Sequence, residues 1–173
     1  GIGMFCSVPG AQTYGNIVLN NDIHGNGETG IAMHSHTPNQ NLTNNVIVGN
    51  HVSGNGADSG DAKTPGPTGI NVFGVSPVTG TVISDNIISE EDDDVVANTP
   101  ALVTVHYNDL LGGKTGVNNL GSGSVDATEN WWGCAEGPTK RGCSVVQGAN
   151  ISSTPWLTHS TLEALPPFPP ANR

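Results

Sequence analysis

Short groups of aliphatic residues alternate with Asn, Gly and Ser along this chain, and no stretch keeps the spacing of an amphipathic helix. The segment 16–27 can be laid over the segment 45–56 at an offset of 29 residues without a gap, and a weaker third copy covers 81–88. Short β-branched groups broken by Gly and Asn are typical of strands and turns. The pattern therefore predicts a repeated unit of short strands.

A second strand type recurs ahead of the first. The sequence Gly-Ile-Gly-Met at 1–4 returns in degenerate form at 30–33, 69–72 and 101–104, at offsets of 29, 39 and 32 residues. We expect these four segments to stack on one another in one sheet. The uneven offsets are compatible with stacking because a surface excursion can lengthen one turn without disturbing its neighbours. The segment 60–67, rich in Gly, Pro and Asp, is the predicted excursion.

A repeat period of about 20–50 residues indicates stacked supersecondary units. No helical stretch separates the strands, which excludes leucine-rich and ankyrin arrays. We expect a coil of short parallel strands, each about 4.8 Å from its counterpart in the next turn. Asn suits the bends because it tolerates the left-handed conformation and its amide can bond to the copy above. Asn21 over Asn50 and Asn26 over Asn55 are the predicted ladders.

Composition and charge narrow the function classes. The 173 residues include 24 Gly and 12 Pro, and only 5% are aromatic and 12% charged. These values exclude a helical bundle and a charge-driven disordered chain. The net charge is −10, and the five Lys and Arg are scattered apart from the adjacent pair Lys140 and Arg141. Because no basic stripe could contact phosphates and no apolar run approaches about 20 residues, we expect neither nucleic acid nor a membrane as a partner.

The end of the repeat region has a distinctive sequence. Residues 125–133 read Val-Asp-Ala-Thr-Glu-Asn-Trp-Trp-Gly, followed by Gly-Pro at 137–138 and Thr-Pro-Trp-Leu at 154–157. With the repeats, this ending resembles the closing coil of the right-handed parallel β-helix superfamily, the pectin-lyase-like fold. The resemblance covers nearly the whole chain and implies an all-β solenoid of about five rungs with a C-terminal cap.

The resemblance also divides the chain. It implies parallel β-helix rungs over 1–124, a closing coil and cap over 125–158, and a Pro-rich tail over 159–173. The superfamily includes pectate and pectin lyases, polygalacturonases, alginate epimerases, phage tailspikes, adhesins and copper-delivery accessory proteins. Because its activities are so varied, the fold alone does not decide the function.

Three tryptophans are candidates for the cap. Trp131 and Trp132 are adjacent, so on a strand they point to opposite faces. We expect one of them to plug the last turn, together with Trp156, because an open solenoid end needs apolar cover. The other either covers the same end or offers a flat ring to a sugar.

The three cysteines fall into a pair and a remainder. Cys134 and Cys143 bracket eight residues that contain neither His nor a further Cys, whereas a zinc site would need two more ligands nearby. We therefore expect a disulfide, and with it an extracellular or periplasmic location. Cys6 alternates with Ile2 and Met4 and is expected to be a buried thiol.

The outward positions follow once the aliphatic residues of the second strand type are placed inward. They form three predicted columns: Gly3, Ala32, Asn71 and Val103; Phe5, His34, Phe73 and Val105; and Ser7, His36, Val75 and Tyr107. None contains a carboxylate pair, Lys or Arg, whereas glycoside hydrolysis requires paired acids and a lyase requires a base with a cation. We therefore assign no catalytic residue to this face.

The same face carries aromatic and imidazole side chains instead. The predicted binding surface consists of Phe5, His34, His36, Phe73, His106 and Tyr107. Exposed contiguous surface of this kind marks a contact. Three coverings remain open: the loop at 57–68, a second copy of the chain, or a stacked sugar chain.

Two groups of residues are weak metal candidates. His34 and His36 lie two positions apart on one side of a strand, and His106 could approach from a neighbouring rung. The acidic run at 90–94, with Asp92 and Asp94, could bind calcium through its carboxylates. Ordinary surface histidines and a solvated, like-charged loop at a bend are the simpler interpretations. We therefore expect no metal and no cofactor.

These observations favour a non-catalytic extracellular scaffold that binds a polysaccharide or a partner protein. The rival hypothesis is a polysaccharide lyase or glycoside hydrolase whose catalytic rungs precede Gly1, since the chain opens within a strand pattern. An uncovered first turn would expose unpaired backbone groups and apolar side chains. We therefore expect a homo-oligomer with Phe5 or Phe73 buried between protomers.

Overall fold

The computed structural model describes residues 1–57, 66–76, 78–112 and 114–161. These residues form sixteen strands and no α-helix. None of them therefore belongs to a helix that could cross a membrane. The described part of the chain is all-β, as its short apolar groups predict. Most of the predicted excursion at 60–67 and of the Pro-rich tail at 159–173 lies outside the described residues.

The strands form three sheets in which neighbouring strands are parallel. The first sheet contains β1 (Ile2–Cys6), β4 (Ile31–Ser35), β7 (Thr68–Gly74), β10 (Asp93–Asn98), β13 (Thr115–Asn119) and β15 (Val145–Gly148). The second contains β2 (Ile17–Leu19), β5 (Val46–Val48), β8 (Thr81–Ser84), β11 (Leu102–His106), β14 (Ser124–Asp126) and β16 (Ile151–Ser152). The third contains β3 (Asp22–His24), β6 (His51–Ser53), β9 (Ile87–Ser89) and β12 (Asp109–Leu111). The chain visits the sheets in turn and then returns to the first, and we call each such passage a repeat.

Stacked aliphatic side chains form the core. In the first sheet Ile2 is in register with Ile31, and Ile31 with Ile70. Val95 and Val117 continue this column. The column joins the inward residues of the other two sheets in a single buried cluster. Each fully buried side chain of this size stabilises the fold by about 1.5–3 kcal/mol relative to exposure.

Asparagine ladders hold the bends between the sheets. The predicted pairs are confirmed: Nδ2 of Asn21 donates to Oδ1 of Asn50 at 2.9 Å, and Nδ2 of Asn26 donates to Oδ1 of Asn55 at 2.7 Å. The same oxygens also accept the backbone N–H groups of Asn21 and Asn26. The residue before each member of the first ladder has a left-handed φ of 54–67°, which Asn and Gly tolerate best. That ladder continues through the buried amides of Asn86, Asn108 and Asn130.

The prediction that 101–104 stacks in the first sheet is wrong. β11 pairs with β8 and β14 in the second sheet. β10 takes the predicted place beside β7, with Val95 opposite Ile70. The segment 101–104 alternates in hydropathy, whereas β10 begins with Asp93 and Asp94, and two consecutive acids have low strand propensity.

The C-terminal end of the core is filled by one of the predicted cap residues. Trp132 is fully buried beside Gly116, where an added β-carbon would lie 2.8 Å from the indole ring. Trp131 is half-buried. β15 and β16 lie within the predicted closing coil at 125–158, so parallel stacking continues beyond residue 124.

Candidate binding site

Four of the six predicted binding residues come together on the outer side of the first sheet. The register places Phe5 beside His34 and His34 beside Phe73. The ring centroids of Phe5 and His34 are 5.5 Å apart, as are those of His34 and His36, and His34 lies 5.8 Å from Phe73. All three pairs meet edge to face, the arrangement that ring quadrupoles favour. We call Phe5, His34, His36 and Phe73 the aromatic cluster.

Only the margins of the aromatic cluster are open to solvent. Phe5 is 51% exposed and His36 is exposed, whereas Phe73 is 9% and His34 only 1% exposed. These last two residues are therefore covered, and Phe5 and His36 form the open part of the predicted surface. Alternation shows on which side of a sheet a residue lies, but it does not show whether that side is covered. The loop at 57–68, one of the predicted coverings, lies mostly outside the described residues.

Gly3 shapes the exposed margin. An added β-carbon at Gly3 would lie 2.1 Å from Cε2 of Phe5, so the phenyl ring rests against the bare backbone of its own strand. The ring is thereby held by Gly3 on one side and by His34 on another. A fixed aromatic ring that is half-exposed can receive a flat ligand without losing further side-chain freedom.

His106 and Tyr107 do not join the aromatic cluster. They lie at the end of β11, which belongs to the second sheet, whereas the sequence pattern predicts this strand in the first. Tyr107 has a left-handed φ of 59° and is exposed at the bend. Its hydrogen bond to Glu129, followed by the charge of that carboxylate, raises the pKa of the Tyr107 phenol.

His106 belongs to a separate polar group with Asp126 and Thr128. Nε2 of His106 lies 3.0 Å from Oδ1 of Asp126 and 3.2 Å from Oγ1 of Thr128. A catalytic relay would use the two imidazole nitrogens for different partners, and here one nitrogen faces both. Burial tends to raise the pKa of Asp126, but hydrogen bonds from His106 and Thr128 outweigh this and lower it.

The acidic run is not the solvated loop that the sequence predicts. Glu91 and Asp94 are fully or almost fully buried, and Asp93 begins β10. Oε1 of Glu91 accepts Nδ2 of Asn55 at 2.8 Å, so Glu91 ends the second asparagine ladder. Oδ1 of Asp93 accepts Nδ2 of Asn118 at 2.9 Å. These carboxylates are built into the stack because each replaces a ladder or strand residue of the preceding repeat.

Burial dominates the titration of these acids. Desolvation raises the pKa of Glu91 and of Asp93, against opposing hydrogen bonds from Asn55 and Asn118 respectively. Desolvation raises the pKa of Asp94 most strongly, although the Gly112 N–H donates to its Oδ2 at 3.2 Å. Oδ1 of Asp94 has no hydrogen-bond partner among the described residues. Burial therefore disfavours the ionised form of the Asp94 carboxyl group.

The metal candidates do not converge. In the described ranges, no three His, Cys, Asp or Glu side chains are placed to hold a metal ion. His34 and His36 contact each other through their rings, and His106 lies in another sheet. Asp92 is paired with Lys114, while the neighbouring Asp94 is buried.

The cysteines are arranged as the sequence predicts. Cys134 and Cys143 form a disulfide with their Cα atoms 5.5 Å apart. Cys6 is a buried free thiol whose Sγ lies 3.2 Å from Oγ1 of Thr13.

Comparison with known proteins gave no match for this chain among protein-family models, curated proteins or solved structures.

Proposed function

We propose that this chain is a right-handed parallel β-helix that binds a polysaccharide without cleaving it. The succession of the three sheets along the chain supports the coil, because each repeat contributes its strands to the sheets in the same order. Right-handedness follows from the general rule for parallel strands joined by crossovers, which holds in about 98% of cases.

The half-exposed ring of Phe5 carries the proposal. Gly3 and His34 fix this ring, and His36, whose ring contacts His34, supplies an exposed imidazole in the same cluster. A sugar ring presents an apolar face that stacks on an aromatic ring, while its hydroxyls bond to a polar neighbour such as imidazole.

Binding without cleavage is favoured by the chemistry of the aromatic cluster. None of its four members is a carboxylate, and hydrolysis of a glycosidic bond requires two. The buried acids Glu91 and Asp93 already accept hydrogen bonds from side-chain amides of neighbouring repeats. A net charge of −10 favours an uncharged polymer over an acidic one.

The proposal includes a location outside the reducing cytosol. The disulfide between Cys134 and Cys143 supports an extracellular or periplasmic location, because such bonds persist in oxidising compartments. Self-association stays a prediction. A second copy would have to cover Phe5, because Phe73 is already largely buried within one chain.

Affinity electrophoresis through soluble polysaccharides tests this function. The panel includes neutral glucans, xylans and galactans, with polygalacturonate and alginate as acidic members. We expect retardation by at least one neutral polymer and binding about tenfold weaker for Phe5→Ala, equivalent to about 1.4 kcal/mol. Leu19→Ala is the matched control, since it removes an equally exposed apolar side chain from the second sheet.

Three outcomes contradict the proposal. Unchanged retardation of Phe5→Ala would remove the aromatic cluster as the binding site. New reducing ends or unsaturated products would replace binding by catalysis. Light scattering that shows a dimer dissociated by Phe5→Ala, with no polymer bound, would make Phe5 a contact between protomers.

A further inference from the structure

A groove lies at the C-terminal end of the molecule, far along the stack from Phe5. It follows β16, the last strand of the second sheet, whereas Phe5 lies in β1 of the first. Its volume is about 320 Å³, which falls at the small end of the range for ligand sites. It is lined by Ala135, Thr154, Pro155, Trp156 and Thr158.

The indole of Trp156 is fixed within this groove. Its Nε1 donates to the carbonyl oxygen of Ala135 at 3.1 Å. Gly137 lies against the middle of one indole face, where an added β-carbon would come within 2.4–2.5 Å of Cε2 and Cδ2. Gly137 also has a left-handed φ of 76°, so position 137 requires glycine twice over. Gly137 thus closes one side of the ring, and the partly buried indole also lines the groove.

The wall of the groove is anchored as well. The backbone N–H and the hydroxyl of Thr161 both donate to Oδ1 of Asp109 at 2.9 Å. Ser160 donates to the other oxygen of the same carboxylate. The segment that carries Thr158 is therefore tied to β12 of the third sheet. A site whose aromatic ring and wall are both preorganised loses little entropy on binding.

The lining selects a class of ligand. It consists of Ala135, Pro155 and Trp156 together with Thr154 and Thr158, none of which is charged. The Thr158 hydroxyl also lies 3.2 Å from Nε2 of His159. Hydroxyls both donate and accept hydrogen bonds, as sugar hydroxyls do. An anionic ligand would find no counter-charge in the groove of a chain with a net charge of −10. The groove therefore suits a small, uncharged ligand with one apolar face and several hydroxyls.

We propose that the groove beside Trp156 binds a neutral pyranose unit, stacked on the indole face away from Gly137. The proposal shares only the class of ligand with the proposed function, and its residues are separate from the aromatic cluster. Trp156, which the sequence analysis assigns to the cap, would then serve both as a cap residue and as a binding platform.

The test uses neutral hexasaccharides and the three indole N–H signals of the full chain. We expect a neutral gluco-, xylo-, manno- or galacto-oligosaccharide to shift the signal of Trp156 and to leave that of buried Trp132 in place. Trp156→Leu should weaken binding at least tenfold. Thr158→Val keeps the side-chain shape, removes one hydroxyl and should weaken binding about threefold. Trp131→Phe is the matched control and should bind as the unaltered chain does.

Three results would overturn the proposal. A trigalacturonate that shifts Trp156 where no neutral sugar does would overturn the charge argument. A synthetic peptide of residues 162–173 that shifts it instead would make the groove a peptide site. Full retention of binding in both Trp156→Leu and Thr158→Val would also overturn it.

The aromatic cluster supplies the distinguishing variant. If Phe5→Ala alone abolishes binding to polymer, the groove proposal fails and the proposed function stands. If Trp156→Leu alone abolishes it, the groove stands and the site at Phe5 fails.

Discussion

The outer faces of the first and second sheets have the same parallel register and opposite exposure. On the first sheet the outward residues of successive repeats are buried, among them Ala32, Asn71 and Val96, and neither Ala32 nor Val96 belongs to the core cluster. On the second sheet Ile17 is 66% exposed, and Val46 and Val82 beside it are half-buried. The middle strands of the first sheet are therefore packed on both sides, and the second sheet is packed on one.

Two aspartates show what this difference does to chemistry. Asp93, on the first sheet, is 7% exposed, and desolvation raises its pKa. Asp126, on the outer face of the second sheet, remains partly open, and hydrogen bonds from His106 and Thr128 lower its pKa despite some burial. The same residue type in the same kind of strand thus takes opposite protonation behaviour. Desolvation decides the direction at Asp93, and the hydrogen bonds from His106 and Thr128 decide it at Asp126.

The largest expected effect comes from placing a charge on each face. Val96→Asp puts a carboxylate at a fully buried outward position of the first sheet and should lower the free energy of unfolding by about 4 kcal/mol or more. Val82→Asp makes the same change at a half-buried position of the second sheet and should cost about 1 kcal/mol. Urea unfolding followed by circular dichroism measures both. Equal losses would show that the two faces do not differ in cover.

A smaller contrast is expected within the aromatic cluster. Phe73→Ala removes a ring that is packed against His34 and His36 and should cost about 3 kcal/mol. Phe5→Ala removes a half-exposed ring and should cost less than about 1 kcal/mol. Thermal and urea unfolding of the two variants sharpen the boundary between covered and open surface. A larger loss of stability for Phe5→Ala than for Phe73→Ala would contradict the conclusion that Phe73 is covered and Phe5 is open.

The repeats and ladders could be predicted because they depend on local residue type. A 29-residue offset aligns Asn21 with Asn50, and stacking at that offset follows from the sequence alone. Alternation likewise brought Phe5, His34 and Phe73 into one column. These features need no knowledge of what lies outside the sheet.

The burial of Asp93 and Asp94 in a strand could not be predicted, because it depends on partners in neighbouring repeats. Asp93 and Asp94 have low strand propensity, and only their amide and backbone partners in neighbouring repeats make the position tolerable. Because the sequence pattern predicts 101–104 in the first sheet, it also predicts His106 and Tyr107 there, whereas both lie at the end of β11 in the second sheet. The groove at Trp156 does not follow from the sequence, because its lining unites Ala135, inside the disulfide-bonded loop, with residues 154–158 beyond it.

The smallest expected effect is the pH dependence of the two aspartates. A raised pKa means that folded Asp93 favours the neutral form, so its unfavourable contribution is absent below the unfolded pKa and grows as pH rises toward the folded value. Asp93→Asn keeps an acceptor for Asn118 and should flatten the loss of stability as pH rises from about 4.

Asp126 has the opposite sign, because its lowered pKa contributes stability that is present above the unfolded value and lost as pH falls through the folded one. Asp126→Asn should therefore remove part of the acid limb and cost less than about 1 kcal/mol at neutral pH, since solvent screens the pair with His106. Free energies of unfolding measured between pH 3 and pH 8 for both variants separate the two signs, and a shared sign would contradict the opposite directions of the two pKa shifts.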